Sequence, residues 1–165
     1  MLIRFTQKLS KKLKVGPLSQ IDDEPGPFLE WYANLLIAER TQYILATEAK
    51  SLLSIIIYGR GVTDDNVFIK TWLGSTRHYL SEIGKSFVFE KIIGPHTSEF
   101  VYGKTVNKSI LGSMSDMATV SKLMLQAREM SPFDLSQMIN ETPFKAINYE
   151  RPLDAFDKLK SIKLI

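Results

Sequence analysis

The residue types best suited to chemistry gather between Lys104 and Met117, where an alternating apolar run gives way to a helical pattern. Lys104, Asn107 and Lys108 stand beside the start of a helix. Two cations next to unpaired backbone N–H groups make a small-anion or phosphate site. Ser113 and Asp116 have the spacing of a capping box. That spacing makes Asn107-Lys108 a tight turn and Ser109–Leu111 a returning strand, with the helix beginning at Ser113. Gly112 supports this choice, since glycine inside a helix costs about 1 kcal/mol relative to alanine. The other reading starts the helix near Ser109. Capping accounts for the serines and the aspartate, and leaves Lys104, Asn107 and Lys108 for a ligand. Arg60, within Gly59-Arg60-Gly61, and His96, after Gly94-Pro95, fall in loops, where a scaffold carries its chemistry. With Lys104, Ser113 and Asp116 they compose an enzyme site for an anionic or phosphorylated substrate, provided that all converge on one ligand.

Other chemistries lack their residues. There is no cysteine, which removes disulfides, thiolate metal sites and a thiol nucleophile. The two histidines, His78 and His96, have no partner four residues away, so no metal site is expected. The serines of Gly112-Ser113-Met114-Ser115 do not fit a nucleophile elbow, and Gly59-Arg60-Gly61 does not extend into a phosphate or dinucleotide loop. No cofactor is expected. Asp22-Asp23 and Asp64-Asp65 are adjacent acids, which rarely face one site, and the second pair suits a helix start. Glu48-Ala49-Lys50 matches half of a metal-dependent nuclease strand, but no partner acid is placed for it, and a turn explains the three residues.

Charge points in a different direction. Arg4, Lys8, Lys11, Lys12 and Lys14 all fall in the first fourteen residues, which hold no acid, although the whole chain carries only +3. Such a segment is a footprint for nucleic acid or another anion, or simply a solvated helix face. No apolar run reaches the roughly 18 residues of a membrane span, and residues 1–14 lack the apolar centre of a signal peptide. No membrane association is expected, and the expected compartment is the cytoplasm.

The elements that must position these residues follow from periodicity. Leu2, Ile3 and Phe5 suit a short strand, and Thr6 caps a helix over 7–14. Residues 16–27, with three prolines and Asp22-Asp23-Glu24, read as a loop. Three extended runs follow, 34–40, 42–47 and 52–58, whose short connections imply an antiparallel meander. The third is apolar on both faces and reads as a central strand. Phe68, Trp72, Tyr79 and Ile83 mark one face of a helix over 64–83, capped by Thr63 or Asp64 and ended by Gly84. Residues 87–93 fit a strand or a helix equally, and 99–105 reads as a strand. Ser131-Pro132 opens a helix to about Asn140, and Arg151-Pro152 opens a last one with Leu153, Phe156, Leu159 and Ile162 on its face.

Three stretches carry a family resemblance: Met1–Leu9, Gly59–Asp64 and Asn107–Asp116. Together with Asn140-Glu141-Thr142-Pro143 they resemble a small bacterial family known only as a domain of unknown function. A plasmid-borne open-reading-frame family is similar around Ser109–Met114. The family pattern has Arg and Asn where this chain has Lys108 and Ser115. The resemblance implies a bacterial protein in a mobile-element or stress setting, and it assigns no function. The expectation is therefore one α+β domain over residues 1–165. A mostly antiparallel sheet is covered by helices, and the C-terminal third is helical. Its expected role is a non-enzymatic binding module for nucleic acid or a protein partner, with a homodimer also compatible.

Overall fold

Three long apolar runs joined by tight connections form a meander. These are β2 (Glu30–Ala38), β3 (Thr41–Glu48) and β4 (Ser54–Tyr58), antiparallel in the computed structural model, which describes residues 1–159. β1 (Leu2–Phe5) then pairs parallel to β2, and β5 (Val101–Lys104) pairs parallel to β1, giving the order β4-β3-β2-β1-β5. The meander is as expected. The complete sheet is mixed, because α1 (Gln7–Leu13) and the loop after it carry the chain back to the starting end before β2 begins.

Strand alternation produces two cores. Ile3, Phe5, Trp31, Ala33, Ile44, Ile55 and Ile57 face one way, and Tyr32, Leu36, Tyr43, Leu45 and Ile56 the other. Leu9 and Leu13 of α1 cover the first face, together with Phe68, Trp72, Tyr79 and Leu80 of α2 (Asp65–Glu82). Trp72 meets Trp31 edge-on at 5.2 Å between ring centroids, and Phe68 meets Phe5 at 5.5 Å. Residues 87–93 resolve as helical. α3 (Ser86–Val88) continues through a π turn (Phe89–Ile93) and a 3₁₀ turn (Gly94–His96), because Val88, Ile92 and Ile93 all bury in the first core. Phe156 of α6 (Pro152–Lys158) closes that layer. Ile162, expected on the same helix, lies outside the described residues.

The second face is covered by α4 (Lys108–Ala127) and α5 (Pro132–Asn140). Ser131 caps α5 by accepting from the Asp134 N–H at 3.1 Å. α4 begins at Lys108 and not at Ser113, so Ser109–Leu111 is helix and the capping box does not form. The reason is burial: Ile110, Met114 and Met117 project into the second core only in a continuous helix. Each such side chain contributes about 1.5–3 kcal/mol, against about 1 kcal/mol for Gly112, which sits on the exposed side.

β4 also departs from expectation. It is buried on both faces but lies at the sheet's edge. The Asn140 amide accepts from the Ser54 N–H at 2.7 Å and donates to its carbonyl at 2.8 Å, and Ser136 Oγ accepts from the Ile56 N–H at 2.8 Å. Side chains of α5 thus stand where a neighbouring strand would.

Candidate functional site

At the 104–117 junction, helix capping consumes much of the expected site. Asn107 Oδ1 accepts from the N–H groups of Ser109 (2.9 Å) and Ile110 (3.1 Å), and its carbonyl accepts from Leu111. These are the donors that an anion would need. Ser113 is buried, and its hydroxyl donates to the Ser109 carbonyl at 3.1 Å. Lys104, Lys108 and Asp116 remain exposed.

Arg4 requires a correction. It is 2% exposed and belongs to no basic surface. As an inward-facing residue of β1, it ion-pairs with Glu30 and donates to the carbonyls of Ile21, Asp23 and Lys104. The guanidinium ties the 16–27 loop to the sheet. A crevice of about 270 Å³ remains there, where Asp22, Glu24 and Glu30 offset Arg4 and Lys50. Such a balance does not select an anion.

The other expected site residues do not join this junction. Arg60 follows β4, at the opposite edge of the sheet from β5 and Lys104. His96 ends the helical segment packed on the first core, with its Nδ1 held 2.7 Å from the Ile92 carbonyl oxygen, whereas Ser113 lies on α4 over the second core. The constellation of Arg60, His96, Lys104, Ser113 and Asp116 is therefore split between two edges and two faces. His78 is exposed beside Phe133, with ring centroids 5.4 Å apart. Glu48 is fully buried and accepts from the N–H groups of Phe28, Lys50 and Ser51 and from the Ser51 hydroxyl at 2.6 Å. Burial raises its pKa, partly offset by these hydrogen bonds. It shapes the turn after β3. Among the described residues no three histidines or acids are grouped to hold a metal ion.

A cationic and aromatic cluster does form, at the end of the sheet where β2 turns into β3 and β4 leaves. The turn residues Glu39 and Arg40 are both left-handed (φ 47° and 62°), the twist that a two-residue hairpin requires and that Asn-Gly ordinarily supplies. Gly59 lies so close to Gln42 that an added Cβ would sit 3.2 Å from its backbone, and Gly61 takes φ +82°. Arg60 is held exposed between them. Arg40, Thr41, Gln42, Tyr58 and Arg60 line one open hollow of about 720 Å³. Lys12 of α1 reaches the same end, with its Nζ 2.7 Å from Gln42 Oε1. Tyr58 is 51% exposed and stacks on Tyr43 at 5.5 Å. Burial of Tyr43, and then the adjoining Tyr58, raise the Tyr43 pKa. Lys8, Lys11 and Lys14 are exposed on or just after α1. Arg60 and the α1 lysines are among the candidates the sequence offers; Arg40 and Tyr58 are not. The available signal was a charged pair in a two-residue turn between strands, and a tyrosine ending an aliphatic run.

No helix among the described residues is long and apolar enough to cross a membrane. Comparison with curated proteins and with solved structures gives no significant match. A family model does match, over residues 2–155, and by it the chain belongs to DUF6933, a domain of unknown function.

Proposed function

We propose that the protein is a non-enzymatic module that binds single-stranded nucleic acid at the hairpin end of its sheet, in the cytoplasm of a bacterium. The observation that carries this reading is the grouping of Arg40 and Arg60 with the exposed Tyr58 ring in one hollow. Guanidinium groups pair with phosphate oxygens in a fork geometry. An exposed ring offers a platform for one base, and stacking contributes about 1–3 kcal/mol per base. Tyr43 fixes the Tyr58 ring from behind, so little side-chain freedom is lost on stacking. Lys8, Lys11 and Lys14 extend the cationic character along α1. Lys104 and Lys108 lie at the other edge of the sheet and form no part of this surface.

The test is fluorescence anisotropy with a labelled single-stranded oligonucleotide over a salt series. With two phosphates neutralised by Arg40 and Arg60, log K falls against log salt with a slope of about −1.4. A flat salt response, or no binding at the lowest salt, contradicts the reading.

A further inference from the structure

The same edge strand borders a second opening, which shares Tyr58 and Arg60 with the hairpin-end hollow but extends away from Arg40. Between α2 and α5, alongside β4, lies a groove of about 340 Å³. Val62, Val67, Pro132 and Phe133 make its walls apolar, Arg60 stands at one end, and no acidic residue among those described lines it. Tyr79 lines its floor, 2% exposed, and the Tyr79 hydroxyl has no hydrogen-bond partner among the described residues.

The backbone along this groove is only half satisfied. In the β3–β4 ladder, Ile55, Ile57 and Gly59 bond toward β3, so Ser54, Ile56 and Tyr58 point their N–H and C=O groups outward. Asn140 and Ser136 occupy Ser54 and the Ile56 N–H. The Ile56 carbonyl and the Tyr58 N–H have no partner among the described residues, and both belong to residues that line the groove. One residue of a parallel strand satisfies two groups so placed, donating to the first and accepting from the second. A chain running parallel to β4 points its C-terminus toward Arg60.

We propose that this groove binds the C-terminal end of a partner polypeptide as a short parallel strand, with apolar side chains between α2 and α5 and the terminal carboxylate on Arg60. Affinity comes from main-chain hydrogen bonds, and selectivity from the groove walls and from a cation with no competing acid. Only two or three residues fit, since α5 closes the rest of the edge.

The probe is a pool of pentapeptides whose last three positions are Val, Leu, Ile or Phe, with a free carboxylate, compared with the same pool amidated. The readouts are retention on the immobilised protein and amide shifts in a nitrogen–proton correlation spectrum. The free-acid pool is expected to be retained and to shift amides of residues 56–60 and 67–78, and amidation weakens it about tenfold, the loss of one charge-assisted contact. Arg60→Gln, an exposed substitution that leaves the fold intact, should abolish the difference between the pools. Thr71→Trp fills the groove and should remove retention of both. Equal binding of the two pools, shifts confined to other surfaces, or no shift at about 1 mM peptide overturns the proposal. Arg40→Glu separates the two functions: it weakens the oligonucleotide and leaves the peptide pool unaffected.

Discussion

Arg4 and Glu48 are a cation inside a basic segment and an acid inside a nuclease-like triplet, and the fold consumes both. Removing Arg4 leaves Glu30 buried without its partner and releases the 16–27 loop. Arg4→Ala should therefore cost about 3–5 kcal/mol, read from urea unfolding, whereas Lys11→Ala on the exposed face should change stability by no more than about 0.5 kcal/mol. Glu48 gives a pH signature. Its folded-state pKa is raised by burial, so the native state binds the proton more tightly than the unfolded chain. Stability attributable to Glu48 then falls as pH rises from the ordinary carboxylate value through the raised one. Glu48→Gln places an amide donor among N–H donors and should lower stability by about 1–3 kcal/mol. The gap should narrow as pH rises through that window, because the variant lacks the titration. Unfolding midpoints across a pH series check both effects. Neither role was legible in the sequence: a charge run says nothing about which member points inward, and Arg4 does so because strand alternation places it on the Tyr32 side of β1.

At the scale of elements, the sequence was most readable where apolar spacing and a cap agree. Ser131-Pro132 before α5 and Thr6 before α1 hold their helices as expected, and of Thr63 and Asp64, both candidate caps for α2, Asp64 is the one that holds it. It was least readable at 104–117, where two caps compete. Asn107 wins because the earlier start carries Ile110 into the second core. Asn107→Ala should cost about 1 kcal/mol, the usual value of an N-cap, and Ser113→Ala less than about 0.5 kcal/mol, since Ser113 only bonds back within its own helix. Thermal melts of the two variants discriminate; the reverse order would restore the later start. β4 shows a related limit. Its sequence reports burial on both faces, but it carries no mark of edge position, because what covers the edge is Ser136 and Asn140, 80 and 86 residues beyond the groups they bond.

Over the whole molecule, the net charge of +3 is modest and its placement matters more. Basic residues were legible as a run at the N-terminus, and the run proves partly internal. The surface cluster arises from residues apart in sequence, Arg40, Tyr58 and Arg60, which only the meander brings together. The most direct test sets the two cationic regions against each other. Arg40→Glu/Arg60→Glu and Lys104→Glu/Lys108→Glu change net charge equally, so nonspecific attraction falls equally in both. Anisotropy with the single-stranded oligonucleotide at low salt should show at least about tenfold weaker binding for the first pair, with a shallower salt slope, and a markedly smaller loss for the second. Equal losses, or a larger loss for Lys104→Glu/Lys108→Glu, would contradict the assignment of the binding surface to the hairpin end.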